Sequence, residues 1–287
     1  MAGEGVATGN TNRVMRALER IDRRIIYLTL IVIVAIMTLT PAGLPLLISR
    51  ETRLAYDTIE KLPAGAQILY SLDLDIMGWL QGGPQAIAFL QHLLNRPLKI
   101  VLIGWRPDSE FLILKTLTSV DLKGKKYGVD YVNIGFVAGG ETAMAGFAAD
   151  LRKVVRTDYG GTNLDEIPMM KTITSAKDFS LVVCPNTGEP GALGFIRQWR
   201  IPYNVPIITS QPPMTVPEFV PHVQAGTLVA ALPAIRSSAE YELLIKKPGL
   251  GIAAQDAVSL GTLALLAFIV IGNIGTVWAS KSGANRK

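Results

Sequence analysis

Cysteine is almost missing from this sequence: Cys184 stands alone in 287 residues. An intrachain disulfide is therefore excluded, as is a cysteine-built zinc or iron–sulfur centre. Histidine is nearly as scarce, and His92 and His222 have no metal-ligand spacing. Both read as structural or exposed residues, and Cys184 as a small buried hydrophobe. No metal site and no cofactor is expected. Three signatures are also lacking. No GxGxxG fingerprint and no Walker A lysine occurs, and neither Ser71 nor Ser210 sits in a GxSxG elbow. Charged residues make up only 18%, against 49% hydrophobic, which excludes a disordered or mucin-like chain.

Charge is not only low but unevenly placed. Residues 1–24 carry five arginines and three acids, and residues 279–287 carry Lys281, Arg286 and Lys287. The remaining stretch holds twenty basic and twenty acidic side chains, so the net +5 belongs to the tails. A nucleic-acid-binding domain is not indicated.

Two long uncharged runs account for the apolar excess. The first, residues 25–48, has 24 residues and follows directly on Arg23 and Arg24. It exceeds both the roughly 20 residues a membrane helix needs and the length of a signal-peptide core, and reads as an uncleaved anchor. Pro41 and Pro45 are expected to kink or end its helix. The second run, residues 257–279, is equally uncharged, with Trp278 near one end. Asn273 within it can meet a partner helix or the headgroup layer. Arg13, Arg16, Arg20, Arg23, Arg24, Lys281, Arg286 and Lys287 outnumber the five cations on the inner flanks, Arg50, Arg53, Lys61, Lys246 and Lys247. The positive-inside rule then puts both termini in the cytoplasm of a two-span protein of the cytoplasmic membrane. The expected organisation is a tail over 1–24, a span over 25–48, an extracytoplasmic domain over 49–256, a span over 257–279 and a tail over 280–287.

Between the spans the pattern alternates. Strands are predicted at 66–73, 99–105, 131–137, 179–184, 205–209 and 227–232. Helices are predicted at 84–95, from Ser109 to about 120, and at 141–155, 191–199, 216–224 and 234–246. Strands such as KIVLIGW are apolar on both faces, so helices must cover both sides of the sheet. The fold class is α/β, a mostly parallel sheet flanked by N- and C-terminal transmembrane helices.

Ligands of open parallel sheets bind at the carboxyl ends of strands. Those ends supply the candidate ligand-binding residues Asp73, Arg106, Gly139, Gly140, Glu141 and Glu189. Arg106 is the candidate anion contact, and Gly139–Gly140 permits close backbone approach at a helix start. Glu141 can instead satisfy that helix start itself. Asp73, Asp75, Glu141 and Glu189 would support acid–base chemistry only if they converged. No catalytic residue is assigned. The less regular stretch 157–174 reads as a lid or an excursion on the ligand side.

Several segments together resemble one family. They are Leu62–Gly65, Tyr127–Val132 leading to Gly135 and Gly139–Glu141, Thr157–Tyr159, Asp165–Met170 and Ala239–Glu242, with Asp22–Ile26 at the start. The resemblance is to uncharacterised prokaryotic membrane proteins with an α/β domain between two terminal transmembrane helices. It implies the architecture and carries no activity, cofactor or site residue. The expected function is a non-catalytic subunit or scaffold of a membrane protein complex. Its partners would be other membrane subunits, or further copies joined through the transmembrane helices, and no nucleic acid. The alternatives are an extracytoplasmic sensor or binding module taking a small ligand, and a membrane-anchored hydrolase or transferase.

Overall fold

The computed structural model describes the backbone of residues 22–284 and the side chains of residues 22–277. It divides into two units, one formed by the two ends of the chain and the other by Pro45–Ile252. The N-terminal tail expected over 1–24 and the final residues lie largely outside the described residues.

In the first unit, helix α1 is Arg23–Leu39, capped by Asp22, whose carboxylate accepts from the Arg24 N–H. It stops two residues before Pro41. The backbone of residues 41–49 is irregular, and Gly43 and Leu44 donate their N–H groups to the two carboxylate oxygens of Asp256. The last helix, α9, is Leu250–Ala284. Its Leu250–Val277 stretch is long and apolar enough to cross a membrane.

The second unit is a six-stranded, wholly parallel sheet in the order β3-β2-β1-β4-β5-β6. The strands are β1 Gln67–Ser71, β2 Lys99–Gly104, β3 Tyr131–Phe136, β4 Leu181–Pro185, β5 Ile207–Gln211 and β6 Ala230–Pro233. Residues 68–71, 100–104 and 181–185 are buried throughout, as expected of strands covered on both faces. On one face lie α2 (Arg50–Glu60), α3 (Trp79–Asn95), α4 (Ser109–Ser119) and α8 (Ala234–Leu244). Their core is built on Ile68, Tyr70, Leu102, Val183 and Ile208, with Ile59, Phe89, Leu112 and Tyr241 from the helices. On the other face lie α5 (Gly140–Ala149), α6 (Gly191–Phe195) and α7 (Val216–Gln224). There Leu69, Val101, Val132, Val182 and Ile207 pack against Phe147, Phe195, Trp199 and Phe219.

Local chemistry explains the differences from the sequence reading. Helix α2 went unpredicted, although the Ser49 side chain caps it and Thr52, Ala55 and Ile59 form its buried stripe. The helix expected over 141–155 breaks at Asp150, whose side chain caps a separate turn at Leu151–Val154. After α6 the chain continues as a π-helical stretch, Ile196–Arg200, and a short turn, Ile201–Tyr203. The stretch 157–174 is not folded over the crevice. Leu164, Ile167, Met169 and Met170 anchor it in the core, and the Tyr159 N–H donates to the Asn133 carbonyl on β3.

Candidate functional site

The order β3-β2-β1-β4-β5-β6 has its reversal between β1 and β4, and a doubly wound sheet places its crevice outside the carboxyl ends of those strands. The chain leaves β1 as Leu72–Asp73–Leu74–Asp75 and β4 as Asn186–Thr187–Gly188–Glu189. Asp73 and Asn186 form an isolated parallel bridge there, extending the pairing past the ends of both strands.

Asp73 is fully buried. Its Oδ1 accepts the Trp105 backbone N–H at 2.8 Å, and its Oδ2 accepts the Ser71 hydroxyl at 2.7 Å and faces the Cys184 thiol at 3.5 Å. Burial pushes its carboxyl up to about 6, against the pull of those donors and of the Arg106 charge. The same burial, with Asp73 beside it, drives the Cys184 thiol well above its ordinary range, so it is no ready nucleophile. Next to Asp73 a second polar set crosses β4 and β5. The Thr209 hydroxyl donates to the Cys184 carbonyl at 2.7 Å, and the Asn186 side-chain oxygen accepts from Thr209 and Gln211.

Above this floor the two strand-end loops meet. The Asp75 N–H donates to Thr187 Oγ1 at 3.2 Å, and the Asp75 carboxylate accepts from the Gly78 N–H and, at 3.4 Å, from Arg106. Glycine at 78 permits this closeness, because a Cβ there would lie 2.3 Å from Thr187 Cγ2 and would force the threonine to shift. Arg106 also donates to the Glu189 backbone carbonyl at 3.4 Å. The loop after β1 and the loop after β4 thus close on each other through side chains.

No family model, curated protein or solved structure matches the chain.

The six candidate residues are distributed as follows. Asp73, Arg106 and Glu189 stand together at the β1–β4 reversal. Gly139 and Gly140 stand beyond β3 at the start of α5, both with left-handed backbone, two strands away from β1. Glu141 is turned to other work: both its oxygens bind Arg197, at 2.8 and 2.6 Å, and Gln198 adds a third donor. Those donors hold its carboxyl down at about 2. Glu189 contributes charge near Arg197. Among the described residues, no three His, Cys, Asp or Glu side chains group to hold a metal ion.

Sequence reasoning missed one feature of this edge. A cavity of about 120 Å³ lies beside the reversal, lined by Asn186, Gly188, Glu189, Gln211, Thr215 and Glu218 among others. Strand ends 4 and 5 were legible, but Thr215 and Glu218 reach it only through the fold of the β5–α7 connection.

Elsewhere, His92 is buried between Tyr241, at 2.7 Å from Nδ1, and Glu60, at 2.8 Å from Nε2, with Tyr56 stacked on its ring. Burial lowers the imidazole, and the His92 contact lowers Glu60. Tyr241 is fully buried, and this set joins α2, α3 and α8.

Proposed function

We propose that this chain is a non-catalytic, membrane-anchored subunit of a protein complex, with α1 and α9 as its two spans and both termini in the cytoplasm. The family resemblance noted in the sequence points to the same arrangement. One observation carries the reading. Three of the four carboxylates that would do acid–base work at the strand ends are committed to holding the fold, while the fourth, Glu189, lies near Arg197. Asp73 joins β1, β2 and β4, Asp75 secures the loop before α3, and Glu141 ties α5 to Arg197. The two anchors pack against partner helices, and the α/β domain organises other subunits outside the membrane. Purification in mild detergent followed by mass measurement tests this. A particle heavier than one chain is expected. A strictly monomeric particle, monomeric also in native membrane extracts, would overturn it.

A second reading is a small-ligand module, favoured by the cavity beside Glu189. It predicts ligand-induced protection of residues 186–190 and 211–218 in hydrogen exchange. A broad metabolite screen that leaves those residues unprotected removes it.

A further inference from the structure

The carboxyl edge of the sheet carries an apolar surface that the subunit reading does not use. Ile76 and Met77 follow β1, Leu80 lies in the first turn of α3, and Phe111 and Leu114 stand on α4. All five are exposed, Met77 to 75% and Leu80 to 73%. Two contacts hold the starts of α3 and α4 side by side. The Ile76 N–H donates to Asp108 at the start of α4, at 3.3 Å, and the Lys115 ammonium sits 5.0 Å over the Trp79 ring. Phe111 is one helical turn before Lys115. Large exposed apolar side chains gathered on neighbouring elements mark a protein or membrane interaction site.

What covers it follows from where the chain joins the domain. Helix α2 runs from Ser49 down to the amino end of β1, so it begins at the carboxyl edge. The Leu47 carbonyl accepts from Arg236, in the first turn after β6, at the same edge. Only residues 40–48 separate α1 from Ser49, a reach of at most about 30 Å when fully extended. The chain of α1 therefore joins the domain at this edge through a short segment. The chemistry agrees: isoleucine, methionine, leucine and phenylalanine surround a tryptophan and a lysine stem, the side chains that suit the boundary between headgroups and acyl chains.

We propose that Ile76, Met77, Leu80, Phe111 and Leu114 insert into the interfacial layer of the bilayer that anchors the chain, so that the domain lies on the membrane by its carboxyl edge. The proposal rests on the membrane anchoring proposed above and is independent of whether partner subunits exist.

Spin labels on the full chain test it, in vesicles of phosphatidylcholine and phosphatidylglycerol with Cys184→Ala as background. The labelled variants are Met77→Cys, Leu80→Cys and Phe111→Cys. Lys177→Cys, exposed before β4 at the opposite edge, serves as the water reference, and Leu266→Cys within α9 reports the anchor. The ratio of oxygen to polar-chelate collisions should rise at 77, 80 and 111 above that at 177, towards that at 266. Water-like ratios at all three positions, with a lipid-like ratio at 266, would overturn the proposal and leave the anchoring intact. Shielding of the three from both reagents would overturn it in favour of a protein cover, whether a partner or a second copy. A water-like ratio at 266 would remove the anchoring and the proposal together.

Discussion

The Trp105 backbone N–H points at Oδ1 of Asp73 across 2.8 Å, with both residues out of reach of solvent. One charged side chain thereby fixes the departure of β2 relative to β1, at the point where a ligand-binding α/β domain keeps its crevice. Arginine and cysteine neighbours add to the hold, so the centre of the sheet's carboxyl edge is a structural joint.

That joint has a pH signature. Asp73 titrates near 6 when folded, against an ordinary 3.8, so the folded state takes up its proton first. Stability therefore rises as pH falls through 6 towards 3.8, by about 3 kcal/mol for this group. Asp73→Asn keeps an oxygen for Trp105 and removes the charge. It should match or exceed the wild type at neutral pH and flatten the wild-type rise on acidification. Asp73→Ala should instead lose about 1–3 kcal/mol, because the Trp105 N–H is left buried and unpaired. Denaturant unfolding of the full chain in detergent at pH about 5 and 7 measures both. Equal pH slopes in wild type and Asp73→Asn would show that the carboxyl does not titrate in this range.

Glu242 performs the comparable task at the start of α9. Its carboxylate accepts the N–H groups of Gly249, Gly251 and Ile252, all within 2.9 Å. Such a cap satisfies donors that a helix start cannot pair internally. Glu242→Ala should cost about 1–2 kcal/mol, on the scale of a lost cap, and Glu242→Gln, which retains an acceptor, less. Thermal unfolding of the detergent-solubilised chain should rank the three proteins in that order. An alanine variant as stable as the wild type would show that water replaces the cap.

Much of the α/β layout could be read from residues, because its signals are local. The run KIVLIG announces a strand buried on both faces, and the pattern from Pro84 to Asn95 announces the helix that covers it. Strand order could not be read, since pairings such as Ile68 with Leu181 join residues that no periodicity links. Helix α2 was legible in principle: Ser49 and Glu51 mark its start. Asp73, Arg106 and Glu189 could be placed on one edge because they follow strands. The partner of Glu141 could not be placed, because Arg197 comes from a helix 56 residues later. The exposure of Ile76, Met77 and Leu80 was equally hidden. An apolar run beside a strand reads as core, and only the packing shows that nothing in the domain covers it.

The close approach of β2 to α4 makes a sharper packing prediction. A Cβ at Gly104 would lie 2.0 Å from the Ser109 Cβ and 3.0 Å from the Leu72 carbonyl oxygen. Gly104→Ala should therefore destabilise by about 1–3 kcal/mol, as overpacking does. Ser109 is buried and its hydroxyl has no partner, so removing it sacrifices no hydrogen bond. The double variant Gly104→Ala/Ser109→Gly should recover part of the loss, read as a higher denaturation midpoint than Gly104→Ala alone. A double variant no better than the single one would assign the strain to the Leu72 carbonyl.

Topology constrains where partners are to be sought. The proposed orientation follows from the arginines crowded before Ile25 and from Lys281, Arg286 and Lys287 near the other end. The anionic inner leaflet and the membrane potential both oppose moving these cations outward. The two spans proposed above would force both tails to one side, so the two groups of charge must agree, and they do. Arg50, Arg53, Lys61, Lys246 and Lys247 favour the opposite arrangement with five cations against eight. Single-cysteine labelling in a Cys184→Ala background decides it. Thr11→Cys and Gly283→Cys should resist a membrane-impermeant thiol reagent on intact cells and react after permeabilisation. Lys123→Cys, exposed in the loop after α4, should react in intact cells whose outer envelope admits the reagent. Labelling of both tails with protection at 123 would place the α/β domain in the cytoplasm. Its partners, and the leaflet met by Met77 and Leu80, would then be those of the inner side.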